Sequence, residues 1–270
     1  MSVPGFAPLQ LFPLPIVALA VLSWLGARAA TPRAAALLGF AFGFGLFVFG
    51  IGWIYVALHV YGAMHAVLAA LATALLAAFI ALYPAAAMYV AARIAPRAWW
   101  FAFPACWTLA EWLRGWVFTG FPWLAIGYSQ VPWSPLAGYA PVLGVYGVTF
   151  VVTAFAAGMA GASSALGTGR WKRTAIGLAG IVLLGGGLGI IPWTRPIGQP
   201  LEVSLVQGNI AQEIKFREDR LIGTLVKFDE LVARTRAPLV ILPETALPLL
   251  LQAVPQAYLA RLANHARGNG

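Results

Sequence analysis

Pro238–Pro248 reads PLVILPETALP. Leu239 to Leu242 are four consecutive apolar residues, the pattern of a short buried strand. Pro243 has no N–H to continue a ladder, so the strand stops and the chain delivers a carboxylate, Glu244, at its C-terminal end. Beside Leu242, Ala246 and Leu247, that carboxylate is expected to be partly desolvated and so suited to accept and return a proton. The competing explanation is structural, with Glu244 capping the next turn or pairing with a nearby arginine.

Upstream, LEVSLVQGN alternates and is rich in β-formers, which predicts a strand over 201–207 ending at Gly208–Asn209. Glu218–Arg234 repeats apolar residues at Leu221, Ile222, Leu225, Val226, Phe228, Leu231 and Val232, the spacing of an amphipathic helix. Gln256–Arg267 reads as a second helix. Strand, helix, strand, helix is the order of an α/β domain. Residues 201–270 are expected to bury too little surface to complete one, so the chain reads as truncated. PWTRPIGQP precedes them, and 194–200 is taken as a Pro-rich linker.

Residues 1–193 have a different character. The chain is 61% hydrophobic and 9% charged, against roughly half apolar and a quarter charged in soluble domains. This composition implies a polytopic α-helical membrane domain. Six spans are predicted, at 9–27, 35–58, 66–92, 98–118, 138–166 and 174–193. Gly39, Gly43, Gly45, Gly50 and Gly52 in the second suggest close helix–helix contact. Arg28 and Arg33, Arg93 and Arg97, and Arg170, Lys172 and Arg173 occupy alternate loops, while 59–65 and 119–137 carry no Lys or Arg. The positive-inside rule puts the basic loops in the cytoplasm and everything after residue 193 outside it. The net charge of +9 is therefore topological: residues 201–270 hold eight of the 17 Lys and Arg and seven of the eight acids. A nucleic-acid footprint would concentrate that excess on one face, so no nucleic-acid partner is expected.

Residues 1–8 carry no Lys or Arg, so no cleavable signal peptide is expected. Cys106, the one cysteine, excludes an intrachain disulfide and a cysteine-based metal site, and within an apolar span it reads as an inert hydrophobe. His59 and His65, six apart without a nearby acid, make a poor metal site. No metal or cofactor is expected. Glu111 is the only acid in the first 201 residues, with Arg114 as its i+3 neighbour. The two form either a functional pair at membrane depth or an ion pair holding a helix end. Trp112, Trp116, Trp123, Tyr128, Trp133 and Tyr139 fit an interfacial aromatic belt.

LVQGNI (205–210), then a helix, then VILPET (240–245) resembles the opening strand–helix–strand of the nitrilase, or carbon–nitrogen hydrolase, superfamily. PETALP after a long apolar region, with TGFPWL, GYSQ and GVYG inside it, resembles one branch, the apolipoprotein N-acyltransferases of the bacterial inner membrane. That resemblance implies an extracytoplasmic α-β-β-α sandwich. It implies transfer of an acyl chain from a phospholipid to the N-terminal cysteine α-amino group of a diacylated lipoprotein, through a Glu–Lys–Cys triad. Glu244 falls on the family's general base; the triad Lys and Cys have no counterpart here, so the chain alone is expected to be inactive. Thr119–Gln130, with Trp123 and Tyr128, falls where the family borders its lipid-facing cleft, which makes Glu111 and Arg114 candidates for lipid access. QGNIAQEIKF resembles the family's loop of QGN, Lys and an aromatic near the active site. Gln207 and Lys215 match it, and Phe216 replaces the usual Trp without its indole N–H.

The family's membrane domain has one more N-terminal span than these six, which favours a fragment over a short, catalytically dead paralogue that binds lipid or lipoprotein. Two other classes stay open. A transporter with a small external appendage would need two related halves with broken helices, and no internal repeat is found. A soluble-type amidase on a passive anchor would not need TGFPWL within its spans.

Overall fold

Proline opens both of the first long helices in the computed structural model, which describes residues 2–164 and 170–269. Helix α1 is Pro13–Gly26; α2 is Pro32–Gly50, capped by Thr31 Oγ1, which accepts the Ala34 N–H at 3.1 Å. A proline in the first turn gives up an N–H that has no intrahelical partner there. After Gly50 the chain breaks into a single turn, α3 (Trp53–Val56), and a π-helical turn, Ala57–Tyr61. Then follow α4 (Ala66–Ile94), α5 (Trp99–Arg114), α6 (Ala140–Ser164) and α7 (Arg170–Ile190).

Among the described residues, four helical segments are long and apolar enough to cross a membrane: Pro32–Gly50, Ala66–Ile94, Pro135–Ser163 and Trp171–Ile190. Helices α1 and α5, with 14 and 16 residues, fall short of the roughly 20 that a straight span needs. Each of these two is shorter than the apolar run that predicted it. Residues 9–12 are drawn into a turn, with Leu11 N–H donating to the Pro4 carbonyl, and α5 stops before Gly115. The second predicted span stops at Gly50 rather than reaching residue 58. The fifth, 138–166, lies partly outside the described residues and is kinked at Gly144, where φ of 65° and ψ of −175° suit only glycine. Leu37, Phe49, Leu75 and Leu183 stand 69–78% exposed, as side chains facing lipid would.

Helix α2 lies along α4, and glycine sets how closely. A Cβ on Gly39 would stand 2.5 Å from the Pro84 carbonyl oxygen, and one on Gly43 would stand 2.4 Å from Pro84 Cγ. Gly45 faces open space and Gly52 has only its own turn nearby, so the stripe is not one continuous contact. Trp99 Nε1–H donates to Ser23 Oγ at 3.0 Å and ties α5 to α1.

Met1–Thr194 forms one compact unit and Arg195–Gly270 a second. In the second, β1 (Val203–Leu205) pairs in parallel with β2 (Leu239–Ile241) in the register Val203↔Leu239, Ser204↔Val240, Leu205↔Ile241. Helix α8 (Glu218–Ala233) makes the crossover, and α9 (Gln256–Asn269) follows. Val206, Phe228, Val232 and Ala246 form one small core; Leu225, Val254 and Tyr258 form another. The expectation of a fully buried strand fails on one face. Val240 is half-buried and packs on the core, while Leu239, Ile241 and Leu205 are 41, 46 and 76% exposed. A strand alternates its side chains, so packing on one side leaves the other set open.

Gly39→Ala should push α2 from α4 and cost about 1–3 kcal/mol, whereas Gly45→Ala should be neutral or slightly stabilising. Thermal unfolding of the two variants in detergent measures the difference.

Candidate functional site

Two constellations emerge, one in each unit. In the second, both parallel strands end at the same edge, the place where open α/β sheets bind ligands. Gly208–Asn209 after β1 and Pro243–Thr245 after β2 line a pocket of about 190 Å³ together with Gln207, Ile210, Lys215 and Phe228. Gly208 is required for close packing: a Cβ there would stand 2.5 Å from the Phe228 ring. Asn209 and Thr245 both hold left-handed backbones, φ 49° and 54°. Asparagine tolerates that region, but a β-branched threonine there is strained.

The turn is fixed by its own carbonyls. Lys215 Nζ and Thr245 Oγ1 both donate to the Glu244 carbonyl oxygen, at 3.1 and 2.7 Å, and Ala246 N–H donates to the Pro243 oxygen at 3.1 Å. Gln207 Nε2 donates to Asn209 Oδ1 at 2.8 Å. The Glu244 carboxylate behaves differently. Among the described residues it accepts no hydrogen bond and pairs with no cation, so it neither caps the turn nor meets an arginine. It is exposed, not partly desolvated as expected, because Ala246 and Leu247 turn into the cores while Glu244 turns away from them. Gln207, Lys215 and Glu244 thus share one pocket. Phe216 does not join them; its ring is 60% exposed.

In the first unit, α5 places Trp107, Glu111 and Arg114 on one face, and the two charged residues are only 6 and 2% exposed. The Glu111 carboxylate accepts the Trp107 indole N–H at 3.1 Å, the Ile126 backbone N–H at 3.1 and 3.2 Å, and the Thr149 hydroxyl at 2.9 Å. Arg114 Nη1 donates to the Phe121 and Trp123 carbonyls at 2.6 and 2.5 Å, with its guanidinium 5.1 Å from the Phe47 ring centroid. The ion-pair alternative is corrected in one respect: among the described residues no direct salt bridge joins Glu111 to Arg114, and the two charges act on each other only through space. The carboxylate has N–H and O–H donors, the guanidinium has carbonyls, and buried charge needs such partners.

Together these bonds clasp the segment after α5 from inside. Trp123 and Tyr128 face outward, 51 and 54% exposed, as do Trp112, Trp116 and Trp133. Tyr139 leaves the expected belt; it is buried, and its hydroxyl donates to the Ile181 carbonyl at 2.8 Å. Sequence reasoning missed Thr149, and it placed Ser129 and Gln130 only within the segment Thr119–Gln130 without a role of their own; all three are fully buried. The available signal was a polar side chain inside an apolar run, which must find a partner. Cys106 sits in α5, half-buried against the apolar core.

Thr149→Val should leave Glu111 short of one donor and cost about 1–3 kcal/mol. Glu111→Ala should cost more and expose 119–133 to proteolysis. Thermal unfolding and limited proteolysis report both effects.

Comparison with known proteins gives the affiliation. Residues 1–158 match the model of the apolipoprotein N-acyltransferase N-terminal domain. Apolipoprotein N-acyltransferase of Nitrosomonas europaea is 48% identical over 98% of this chain and 54% of its own length. Those of Chromobacterium violaceum and Ralstonia nicotianae are 46 and 44% identical, over 98 and 93% of this chain and 52 and 49% of their own lengths. The chain spans about half the length of the curated relatives it matches. With a domain match over more than half its residues and apolar helices of spanning length, this membrane protein belongs to the apolipoprotein N-acyltransferase family.

Proposed function

We propose that this chain supplies the membrane domain and the first catalytic residue of an enzyme that moves an acyl chain from a phospholipid to the N-terminal cysteine α-amino group of a diacylated lipoprotein. The reading rests on one observation: among the described residues Glu244 is an unpaired carboxylate, and it lines a pocket where two parallel strands end, beside Gln207 and Lys215. A base that must take a proton needs its lone pairs free, and this one has them.

In the reaction, Glu244 takes the proton of a cysteine thiol. The thiolate attacks the phospholipid ester carbonyl, and a lysine stabilises the developing oxyanion. The ester C–O bond breaks, the proton returns to the departing alcohol, and a thioester and a lysophospholipid result. The lipoprotein amine then attacks the thioester, losing a proton to Glu244, and the thiol re-forms as the amide is made. The lysine and the thiol lie outside this chain: Lys172 and Lys227 do not match the family's position, and Cys106 is packed in α5. Lys215, which the family does not use as the triad lysine, holds the turn that carries Glu244.

The exposed sheet face of Val203, Leu205, Leu239 and Ile241 is the one a second sheet would cover in an α-β-β-α sandwich. The arginine pattern of the loops supports placement of residues after 193 on the periplasmic side of the inner membrane.

In a protein of the relatives' full length, Glu244→Gln should abolish phospholipid-dependent acylation of a diacylated lipopeptide, read as the mass gain of one acyl chain. The chain of 270 residues alone should show no turnover. Full activity of the Gln variant would remove Glu244 from the mechanism.

A further inference from the structure

The end of the α2–α4 pair carries two arginines, Arg33 and Arg93, whose charge meets no partner among the described residues. Arg33, in the first turn of α2, and Tyr89 and Arg93, one turn apart near the end of α4, line a single open hollow of about 520 Å³ with Thr31, Pro32 and Ala92. All three of the larger side chains are exposed. Among the described residues neither Arg33 nor Arg93 makes an ion pair or a side-chain hydrogen bond. No counter-ion is available within the unit, because Glu111 is the only acid before residue 202 and its oxygens are already bonded to Trp107, Ile126 and Thr149. Arg28 and Arg97 stand in the turns adjoining the same two helix ends and add to the positive field.

We propose that this hollow is a binding site for the phosphate of an anionic phospholipid. Two helices of spanning length end here, so a headgroup lies level with the hollow while its acyl chains run along their apolar sides. Two guanidinium forks arriving from different helices match a phosphate that presents several oxygens, and Tyr89 adds a hydroxyl donor one helical turn from Arg93. Basic pockets between membrane helices recognise lipid headgroups by this chemistry. The site shares no residue with the pocket at Glu244, and its test is independent of acyl transfer.

The test uses the full chain in detergent, titrated separately with dioleoyl phosphatidylglycerol, dioleoyl phosphatidylcholine and inorganic phosphate, with bound species counted by native mass spectrometry. The expected result is preferential retention of phosphatidylglycerol. Arg33→Gln/Arg93→Gln should weaken it about tenfold or more, and the charge-matched Lys172→Gln/Arg173→Gln should not. Equal binding of the two lipids, or equal loss in both double variants, overturns the proposal. Displacement of the lipid by inorganic phosphate at matching concentration also overturns it, in favour of a free-anion site. Each single variant, checked for helix content by circular dichroism, carries the same comparison should the double variant fail to fold.

Discussion

The membrane unit depends on one buried carboxylate finding enough donors. Glu111 accepts hydrogen bonds from its own helix, from the backbone beyond it and from α6, through Trp107, Ile126 and Thr149. In a low-dielectric interior an ionised carboxylate without partners is costly, and the same environment strengthens each bond it does make. The three donors come from segments with no regular ladder between them, so satisfying Glu111 fixes their mutual placement. Arg114, one turn on, repeats the device with the opposite sign by drawing in two carbonyls of the same segment. The irregular chain between α5 and α6 contains positive-φ residues at Phe118, Thr119 and Leu124. Irregular backbone shielded from water needs its polar groups met inside the protein, and these two side chains do part of that.

The second unit solves a different problem. Two parallel strands of three residues each provide little ladder, so α8 and α9 supply the burial, and they cover only one face. What the short sheet does provide is alignment. The in-step register brings the turns at Gly208–Asn209 and Pro243–Thr245 side by side. Lys215 then closes the gap by bonding to the Glu244 carbonyl rather than to its carboxylate, which positions the backbone and leaves the acid free.

Much of this was legible in the sequence, for physical reasons that can be named. The alternation from Leu201, the 3.6-residue repeat over α8 and the stop at Pro243 are local signals, and the elements they predicted are present. Gln207 and Glu244 meet because each lies just beyond the end of one of two adjacent strands, and the longer loop after β1 brings Lys215 to them. Span lengths were less legible. Apolar runs at 9–27 and 98–118 continue past the points where turns end α1 and α5, and hydropathy does not register a turn. The state of Glu244 and the partners of Glu111 were not legible at all. Desolvation and pairing depend on side chains far apart in sequence, such as Thr149, 38 residues from Glu111.

A charged group's partners, more than its depth, sort its role. Glu111 and Arg114 are deeply buried yet hydrogen-bonded, so replacing either removes structure before it removes chemistry. Arg217 and Asp219 are exposed and paired through two contacts of 3.0 Å, where solvent leaves such a pair little to contribute. Glu244, Arg33 and Arg93 belong to neither group. Each lines a hollow, and its charged atoms have no partner among the described residues. A charge held in a concave site without a partner is not stabilising the fold that carries it. Its interaction energy is therefore still available to a ligand. On the function proposed above, that ligand is a proton in transit for Glu244; on the proposed lipid site, it is an anion that stays for the two arginines.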